Sequence, residues 1–177
     1  ENLYSFRSKR KVENPDPDFE LKQKVKDRIK DVSTRSEAES RLVWVEVPVW
    51  RLKDGKKVSD TERFQILDVL ANDVKEIFHE IHKGKEKFPI KNLIGYSWRG
   101  SFKSLHSTGR AIDLNPEENP QVNSNGKAIV GKSWQPGSNP YSIKPDGDVV
   151  RAFTKRGWTW GANFRTRDYM HFGFAEM

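Results

Sequence analysis

The sequence contains no cysteine, and this absence removes a whole range of chemistry. Disulfide bonds, thiolate metal ligands and a cysteine nucleophile are excluded, so any metal ion has to be bound by His, Asp or Glu. Long apolar runs are absent as well, because no stretch approaches the roughly 20 apolar residues of a membrane helix. The N-terminus also lacks the short apolar core of a signal peptide. We therefore expect no membrane span.

The chain is rich in charged residues and has a low share of apolar residues. Charged residues make up 32% of the chain and apolar residues 34%, yet six Trp, ten Phe and four Tyr provide large side chains for one core. With 177 residues, the chain has room for one domain and an appended tail rather than for two full domains. The net charge of +7 attracts polyanions, whether nucleic acid, acidic lipid head groups or the anionic polymers of a bacterial wall. Charge alone does not choose among them.

The first 40 residues are dominated by Lys, Arg, Asp and Glu. We interpret residues 1–40 as a charged, basic N-terminal arm and residues 41–177 as the folded domain. The opening letters ENLYSF resemble a variant of a protease-recognition tag, so we expect the natural N-terminus to have been replaced, together with any export signal that it carried. The absence of a signal peptide from these residues therefore carries no weight. The basic run Arg7 to Lys11 is typical of a solvated tail, with attraction to wall polymers as a second interpretation. Asn14 to Pro17 predicts a turn ahead of a short helix from Phe19 to Val32.

Hydrophobic periodicity predicts strands and helices along the rest of the chain. Alternating valines predict a strand from Leu42 to Trp50, followed by a turn around Asp54-Gly55. A 3.6-residue apolar period predicts a helix from about Asp60 to Lys83, with Ser59 and Glu62 as a capping box and Gly84 as its end. Shorter patterns predict three further strands and one helix: strands Leu93 to Tyr96, Ala111 to Leu114 and Tyr169 to Phe174, and a helix from Asp148 to Lys155 that Gly157 closes.

These elements do not alternate as regular strand–helix units, which indicates an α+β domain. We expect a small, mostly antiparallel sheet flanked by helices, with one functional site on the sheet. Residues 115–145 contain many Asn, Ser, Gly and Pro and no periodic pattern. They predict a long surface loop of the kind often tied to function.

The segment SLHSTGRAID, residues 104–113, carries the first informative pair of side chains. His106 and Asp113 are separated by a turn in which Gly109 lets the backbone reverse tightly, while the following strand presents Asp113 from a fixed position. An imidazole and a carboxylate brought together in this way can bind one cation.

The segment DYMH, residues 168–171, carries the second pair. Asp168 and His171 face one point if the backbone makes a single turn between them, which provides a third ligand and a spare acid. Two His and one carboxylate leave one position of a tetrahedral Zn²⁺ open for water, as in catalytic rather than structural zinc sites. Because zinc lowers the pKa of such a water toward about 7, a neighbouring carboxylate can take its proton at ordinary pH. Asp168 is the candidate for this base.

Together, the two segments resemble the D-alanyl-D-alanine carboxypeptidase and L-alanyl-D-glutamate endopeptidase family of zinc peptidases. The run SLHSTGRAID matches the family's S-x-H-x-x-G-x-A-x-D motif at every fixed position, and DYMH matches its later E/D-x-x-H segment. A tryptophan-rich stretch, GWTWG, precedes DYMH as it does in the family. The resemblance covers roughly Tyr96 to Phe174. One departure lies at residues 160–164, where WGANF replaces the usual W-G-G-x-W and alters a pocket wall without touching the metal ligands.

The resemblance implies a role for each of these positions. His106, Asp113 and His171 would bind a single zinc ion on the sheet, and Asp168 would be the general base. Arg99 falls where the family places an arginine that contacts the scissile carbonyl or the substrate carboxylate. Ser104 would hydrogen-bond the substrate backbone.

Two other sets of residues permit more than one interpretation. Trp158 and Trp160 are two residues apart, and alternation would put both on one face, where they either fill the core or form a wall that binds substrate. Trp160 is the candidate for substrate binding. His79 and His82 are three residues apart rather than the four of a zinc-binding helix, and we interpret them as a solvated helix face.

The predicted function is hydrolysis of peptidoglycan stem peptides by a zinc metallopeptidase. An Asp at the position of the base favours the L-alanyl-D-glutamate endopeptidase branch, with D-alanyl-D-alanine carboxypeptidase as the alternative. A non-catalytic zinc domain that binds the wall would require loss of a ligand or of the base. A nucleic-acid-binding module is favoured by charge alone, and we expect no nucleic-acid partner. The protein is expected to be a monomer that acts outside the cytoplasm or at the cell wall, as a host remodelling enzyme or as a phage lysin.

Overall fold

The computed structural model describes residues 18–174. The tag-like opening, the basic run and the turn predicted before Phe19 lie outside the described residues. Within residues 18–174, no helix is long and apolar enough to cross a membrane.

A long β-hairpin opens the domain. Strand β1 (Leu42–Lys53) pairs with β2 (Lys56–Leu67) in antiparallel register over the whole length of both strands. Asp54 and Gly55 form the connecting turn with φ angles of 51° and 76°, as a two-residue hairpin turn of the primed type requires. The predicted strand and turn are therefore confirmed, although β1 extends beyond Trp50.

The helix predicted from about Asp60 to Lys83 is wrong in its first half. Residues up to Leu67 belong to β2, a single 3₁₀ turn (Asp68–Leu70) follows, and helix α3 begins at Ala71 (Ala71–Lys83). The capping residues Ser59 and Glu62 favour a helix locally, but pairing with β1 makes this segment a strand. The pairing buries Phe64 and Ile66 on the inner face of β2, and this burial outweighs the local preference. The second half is confirmed, with the expected apolar face buried: Val74, Ile77, Phe78 and Ile81.

A four-stranded antiparallel sheet lies at the centre of the domain, in the order β3-β4-β8-β7. Its strands are β3 (Leu93–Ile94), β4 (Ala111–Leu114), β7 (Trp158–Trp160) and β8 (His171–Phe174). The prediction of β4 is confirmed, whereas β3 and β8 are shorter than predicted. This arrangement confirms an α+β domain with antiparallel strands.

Helices and aromatic rings cover one side of this sheet. Helix α4 (Asp148–Thr154), predicted from its apolar pattern, contacts both α3 and β7. Phe153 of α4 stacks on Phe172 of β8, with ring centroids 4.1 Å apart, and meets Phe78 of α3 edge-on. The core therefore lies behind β8, and it fixes the strand that carries His171.

The long loop between β4 and α4 is held by buried amides rather than by regular structure. Two short strands, β5 (Gln121–Val122) and β6 (Ala128–Val130), form a small hairpin within it. The Asn115 and Asn119 side chains are fully buried, and both donate to the carbonyl of Tyr141. Because these bonds join the two ends of the loop, its path next to β4 is defined despite the absence of periodicity.

Two helices precede the hairpin, α1 (Phe19–Ile29) and α2 (Arg35–Glu39). The short helix predicted from Phe19 is confirmed, ending at Ile29 rather than at Val32. Val25 of α1 is buried in the common core, and Arg28 makes a bidentate ion pair with Asp68 at the end of the hairpin.

Candidate metal centre

His106 is presented by a 3₁₀ turn (Leu105–Thr108) that Ser104 and Gly109 delimit. The Ser104 hydroxyl oxygen accepts a hydrogen bond from the His106 backbone N–H at 3.2 Å. Gly109 ends the turn at a φ of 68°, and a Cβ at this position would lie 2.6 Å from the backbone nitrogen of Leu67. Both the positive φ and the close packing against β2 therefore require glycine.

The imidazole of His106 is oriented by the backbone of Gly95. Its Nδ1 lies 2.8 Å from the Gly95 carbonyl oxygen, an acceptor, so Nδ1 carries the proton and donates it. In the neutral ring, Nε2 is then left with a lone pair directed into the site. Metal-binding histidines are oriented in this way, with one nitrogen bonded to a backbone carbonyl and the other free to bind the ion.

Asp113 and His171 are brought together by the sheet. The two residues are directly opposed in the antiparallel pair β4–β8, so their side chains emerge on the same face. Asp113 Oδ1 lies 3.4 Å from His171 Nδ1, and Asp113 Oδ2 lies 3.1 Å from His106 Nε2. One ligand atom from each of the three side chains lies within 4.8 Å of the others.

These three side chains fit a metal ion. The Nε2 lone pair and the Asp113 carboxylate are both acceptors, so a proton or a cation has to lie between them to make the contact favourable. Asp113 Oδ1 is buried and accepts no hydrogen bond within residues 18–174. The separations of 3.1 and 3.4 Å match the edge of about 3.3 Å expected for ligands about 2.0 to 2.1 Å from a tetrahedral zinc ion.

The electrostatics of Asp113 agree with a ligand role. Burial raises the pKa of this carboxyl, but the imidazoles of His106 and His171, which lie 3.1 and 3.4 Å from its two oxygens, outweigh burial and hold the pKa well below its usual range. Asp113 is therefore ionised at any ordinary pH, as a carboxylate ligand must be.

Asp168 lies one turn before His171. The backbone N–H of His171 donates to the Asp168 carbonyl at 3.3 Å, which is the single turn expected from the DYMH spacing. Asp168 in turn donates its backbone N–H to the Gly161 carbonyl at 2.9 Å. A Cβ on Gly161 would lie 2.4 Å from the Asp168 carbonyl oxygen and 3.2 Å from the His171 Cβ. Glycine at position 161 therefore sets how closely Asp168 can approach the metal ligands.

All of these side chains open into one cavity of about 510 Å³. Besides the three candidate ligands, it is lined by Arg99, Ser104 and Asp168. The Arg99 side chain is 43% exposed, and its guanidinium lies 3.8 Å from the nearer Asp113 oxygen. The structure thus brings together six of the seven side chains that the sequence singled out.

The seventh, Trp160, lies elsewhere. Its side chain is buried, stacks on Phe172 and donates its indole N–H to the Tyr169 carbonyl at 2.8 Å. Trp160 is not among the described residues that line the cavity. Its position supports core packing behind β8, and its predicted contact with substrate stays a prediction.

Sequence reasoning missed several residues that shape this site. The Gly95 carbonyl orients His106, and the Gly161 carbonyl and its missing side chain allow the close approach of Asp168. Neither role corresponds to a recognisable sequence motif. Lys103 adds a second cation to the cavity wall beside Arg99, and Phe164 lines it at the last position of the altered WGANF stretch. That stretch was the available signal for a changed wall.

His79 and His82 of α3 take no part in the site. His79 is exposed. His82 stacks on Trp50 with ring centroids 4.5 Å apart, and partial burial followed by the charge of His79 lowers its pKa. Among residues 18–174, His106, Asp113 and His171 form the one cluster of three side chains suited to a metal.

Comparison with known proteins gives one match. The family model described as D-alanyl-D-alanine carboxypeptidase, a metallopeptidase family, matches residues 95–174. The match spans both motifs and confirms the resemblance that they indicated. No curated protein and no solved structure gives a significant match to the chain.

Proposed function

Because residues 95–174 match the model of the D-alanyl-D-alanine carboxypeptidase family, we propose that the protein is a zinc metallopeptidase that hydrolyses the stem peptides of peptidoglycan. The observation that carries the proposal is the convergence of His106, Asp113 and His171 in one cavity that Asp168 and Arg99 also line. The description of the family favours removal of a terminal D-alanine over the endopeptidase activity that the sequence placed first.

His106, Asp113 and His171 would hold the zinc ion, through His106 Nε2, the Asp113 carboxylate and His171 Nδ1. When bound, zinc would supply Lewis-acid polarisation of the scissile carbonyl and acidify a water molecule. Carboxylate and imidazole are the oxygen and nitrogen ligands that zinc accepts when no thiolate is present.

Asp168 would transfer the proton. Its carboxylate removes a proton from water as the water oxygen bonds to the carbonyl carbon of the peptide. When the C–N bond breaks, Asp168 returns this proton to the departing amine, so the products are a carboxylic acid and a free amine. Backbone bonding to Gly161 and the turn to His171 hold Asp168 in the same wall as the metal ligand.

Arg99 and Ser104 would position the substrate. The guanidinium of Arg99 is accessible in the cavity. As a planar cation with several N–H donors, it can bind either the carbonyl oxygen as negative charge develops there or a terminal carboxylate of the substrate. The Ser104 oxygen already accepts from the His106 N–H, which leaves its hydroxyl proton to donate to the peptide backbone.

An L-alanyl-D-glutamate endopeptidase is the second candidate. The observation that favours it is the residue type of the base: Asp168 resembles the endopeptidase branch, whereas many carboxypeptidases of the family use Glu. Either activity has the same peptide substrate class and the same metal ligands. We further propose that the protein acts as a monomer at the cell wall, outside the cytoplasm.

Mass spectrometry of digested muropeptides tests the proposal. The zinc-loaded chain should release D-alanine from pentapeptide stems if it is a carboxypeptidase, or liberate peptides that begin with D-glutamate if it is an endopeptidase. The chain should also bind about one zinc ion per molecule and lose activity in the presence of a chelator. If zinc is bound but no stem peptide is cut, the domain is a non-catalytic zinc protein and the proposed hydrolysis is wrong.

A further inference from the structure

A second cavity of about 690 Å³ lies against the wall that carries Asp168. Gln121 of β5 is bridged to Asp168 in antiparallel fashion, and both line the metal cavity. Their sequence neighbours Val122, Arg167 and Tyr169 line the second cavity instead. Successive residues of these two short extended segments face opposite sides, so the segments form a wall between the two cavities. The proposed peptidase mechanism does not use the second cavity.

The second cavity is cationic. Lys132, Arg165 and Arg167 line it, and no Asp or Glu is among its described lining residues. Lys132 is partly neutralised, because it lies 3.6 Å from Glu117. Arg165 and Arg167 are exposed, and neither guanidinium makes an ion pair within residues 18–174. Two arginines that line one cavity, and that make no ion pair with the described acidic residues, are suited to binding a carboxylate or phosphate group.

The remainder of the rim is rich in hydrogen-bonding groups. Ser124, Asn125 and Ser133 line the cavity, and their side chains make no hydrogen bond within the part of the chain that the structure describes. Hydroxyl and amide groups of this kind suit a ligand with many hydroxyls, each of which donates and accepts.

The floor of the cavity argues against a nucleic acid. Trp134 and Tyr169 lie there and stack on each other, with ring centroids 3.9 Å apart and planes 13° from parallel. Each ring therefore covers a face of the other, and Tyr169 is buried. Proteins that bind single-stranded nucleic acid instead present open ring faces on which bases stack.

We propose that this cavity binds an anionic saccharide, with Arg165 and Arg167 holding its negative group and the Ser and Asn side chains its hydroxyls. Such a site would give the net charge of +7 a specific target, in addition to general attraction toward polyanions. The inference goes beyond the peptidase activity, and it does not depend on that activity because binding can be measured without turnover.

Nuclear magnetic resonance of the zinc-loaded chain can locate the binding directly. Six tryptophans give six indole N–H signals, and the Trp134→Phe variant assigns the one beside the cavity. Titration with trigalacturonic acid, a carboxylated trisaccharide, should shift the Trp134 signal in a saturable manner. Maltotriose, which is neutral, should bind at least about tenfold more weakly, as expected if charge-assisted hydrogen bonds carry the affinity.

Charge-matched variants separate a built site from general attraction. Arg165→Gln/Arg167→Gln should weaken trigalacturonic acid binding by about tenfold or more, whereas Arg63→Gln/Lys75→Gln, which removes two exposed charges elsewhere, should not. Equal losses in both variants, or an unmoved Trp134 signal, would overturn the proposal. Tighter binding of a short oligothymidylate at Trp134 would overturn it in favour of nucleic acid.

Discussion

The imidazole Nδ1 of His106 donates a hydrogen bond to the carbonyl oxygen of Gly95 at 2.8 Å. This bond fixes the tautomer and the orientation of the His106 imidazole. It leaves Nε2 facing the Asp113 carboxylate, and that juxtaposition of two acceptors is the clearest sign that a cation belongs between them. The metal centre is thus specified by backbone geometry as well as by the ligands themselves.

Asp113→Asn should abolish tight zinc binding. The substitution keeps the shape of the side chain but replaces an anionic ligand with a neutral amide, so we expect zinc affinity to fall by at least about 100-fold. Competition with a fluorescent chelator measures the affinity. Glu117→Gln, a change at an acid outside the cavity, is the control and should bind zinc normally. Unchanged affinity of the Asp113 variant would exclude it as a ligand.

Asp168→Asn should separate metal binding from catalysis. The amide cannot accept a proton, so we expect kcat to fall by about 10² to 10⁴ while zinc content stays near that of the unaltered chain. Peptide release followed by mass spectrometry measures kcat, and elemental analysis measures zinc. Asp146→Asn, at an exposed acid outside the cavity, provides the control. A variant that keeps its activity would remove Asp168 from the mechanism.

Gly161→Ala should lower activity through the position of Asp168. The added methyl would approach the Asp168 carbonyl oxygen to 2.4 Å, so the segment leading to His171 has to move. We expect kcat to fall by roughly tenfold or more, because a displaced catalytic carboxylate transfers protons poorly. Thr159→Ala, at an exposed position of β7, should have little effect on kcat. If both variants behave alike, close packing at Gly161 is not what positions the base.

Because of the ion pair between Lys91 and Glu118, the free energy of unfolding should vary with pH in the alkaline range. Its Nζ and Oε2 atoms lie 2.5 Å apart, and hydrogen bonding to Glu118 raises the pKa of Lys91 above the ordinary 10.5. A raised lysine pKa stabilises the folded state fully below pH 10.5, and this contribution is lost as pH rises through the folded pKa. The pair holds the start of the loop that follows β4.

Thermal unfolding of Lys91→Met measures this contribution. We expect the variant to be less stable by about 1 kcal/mol at pH 9, a modest value because Lys91 is partly exposed. The difference from the unaltered chain should shrink as pH rises above about 10.5. A difference that stays constant through this range would mean that the ammonium charge does not contribute.

The chemistry of the site was more predictable than its framework. His106, Asp113, Asp168 and His171 stand in two short local motifs, and both motifs are built from single turns that act over a few residues. Their meeting required only that β4 and β8 pair, and β4 was recognisable from its apolar residues. The two local motifs were therefore sufficient to predict these four residues of the cavity around the metal centre.

Features that depend on distant partners could not be predicted in the same way. The segment from Lys56 to Leu67 has helix-capping letters, but it becomes a strand because β1 lies next to it. Trp160 alternates with Trp158 as expected, yet which face is buried depends on α4 and Phe172 packing from elsewhere in the chain. The close approach of Gly161 to Asp168 appears only once the loop has folded back.

The most direct test is a crystal structure of the zinc-loaded chain with anomalous scattering measured at the zinc absorption edge. We predict one strong anomalous peak, from a zinc ion that is bound by His106 Nε2, the Asp113 carboxylate and His171 Nδ1. Asp168 should lie in the same cavity but not be among the ligands. An active, zinc-dependent preparation whose peak lies elsewhere, or whose two imidazoles turn away from Asp113, would contradict the account.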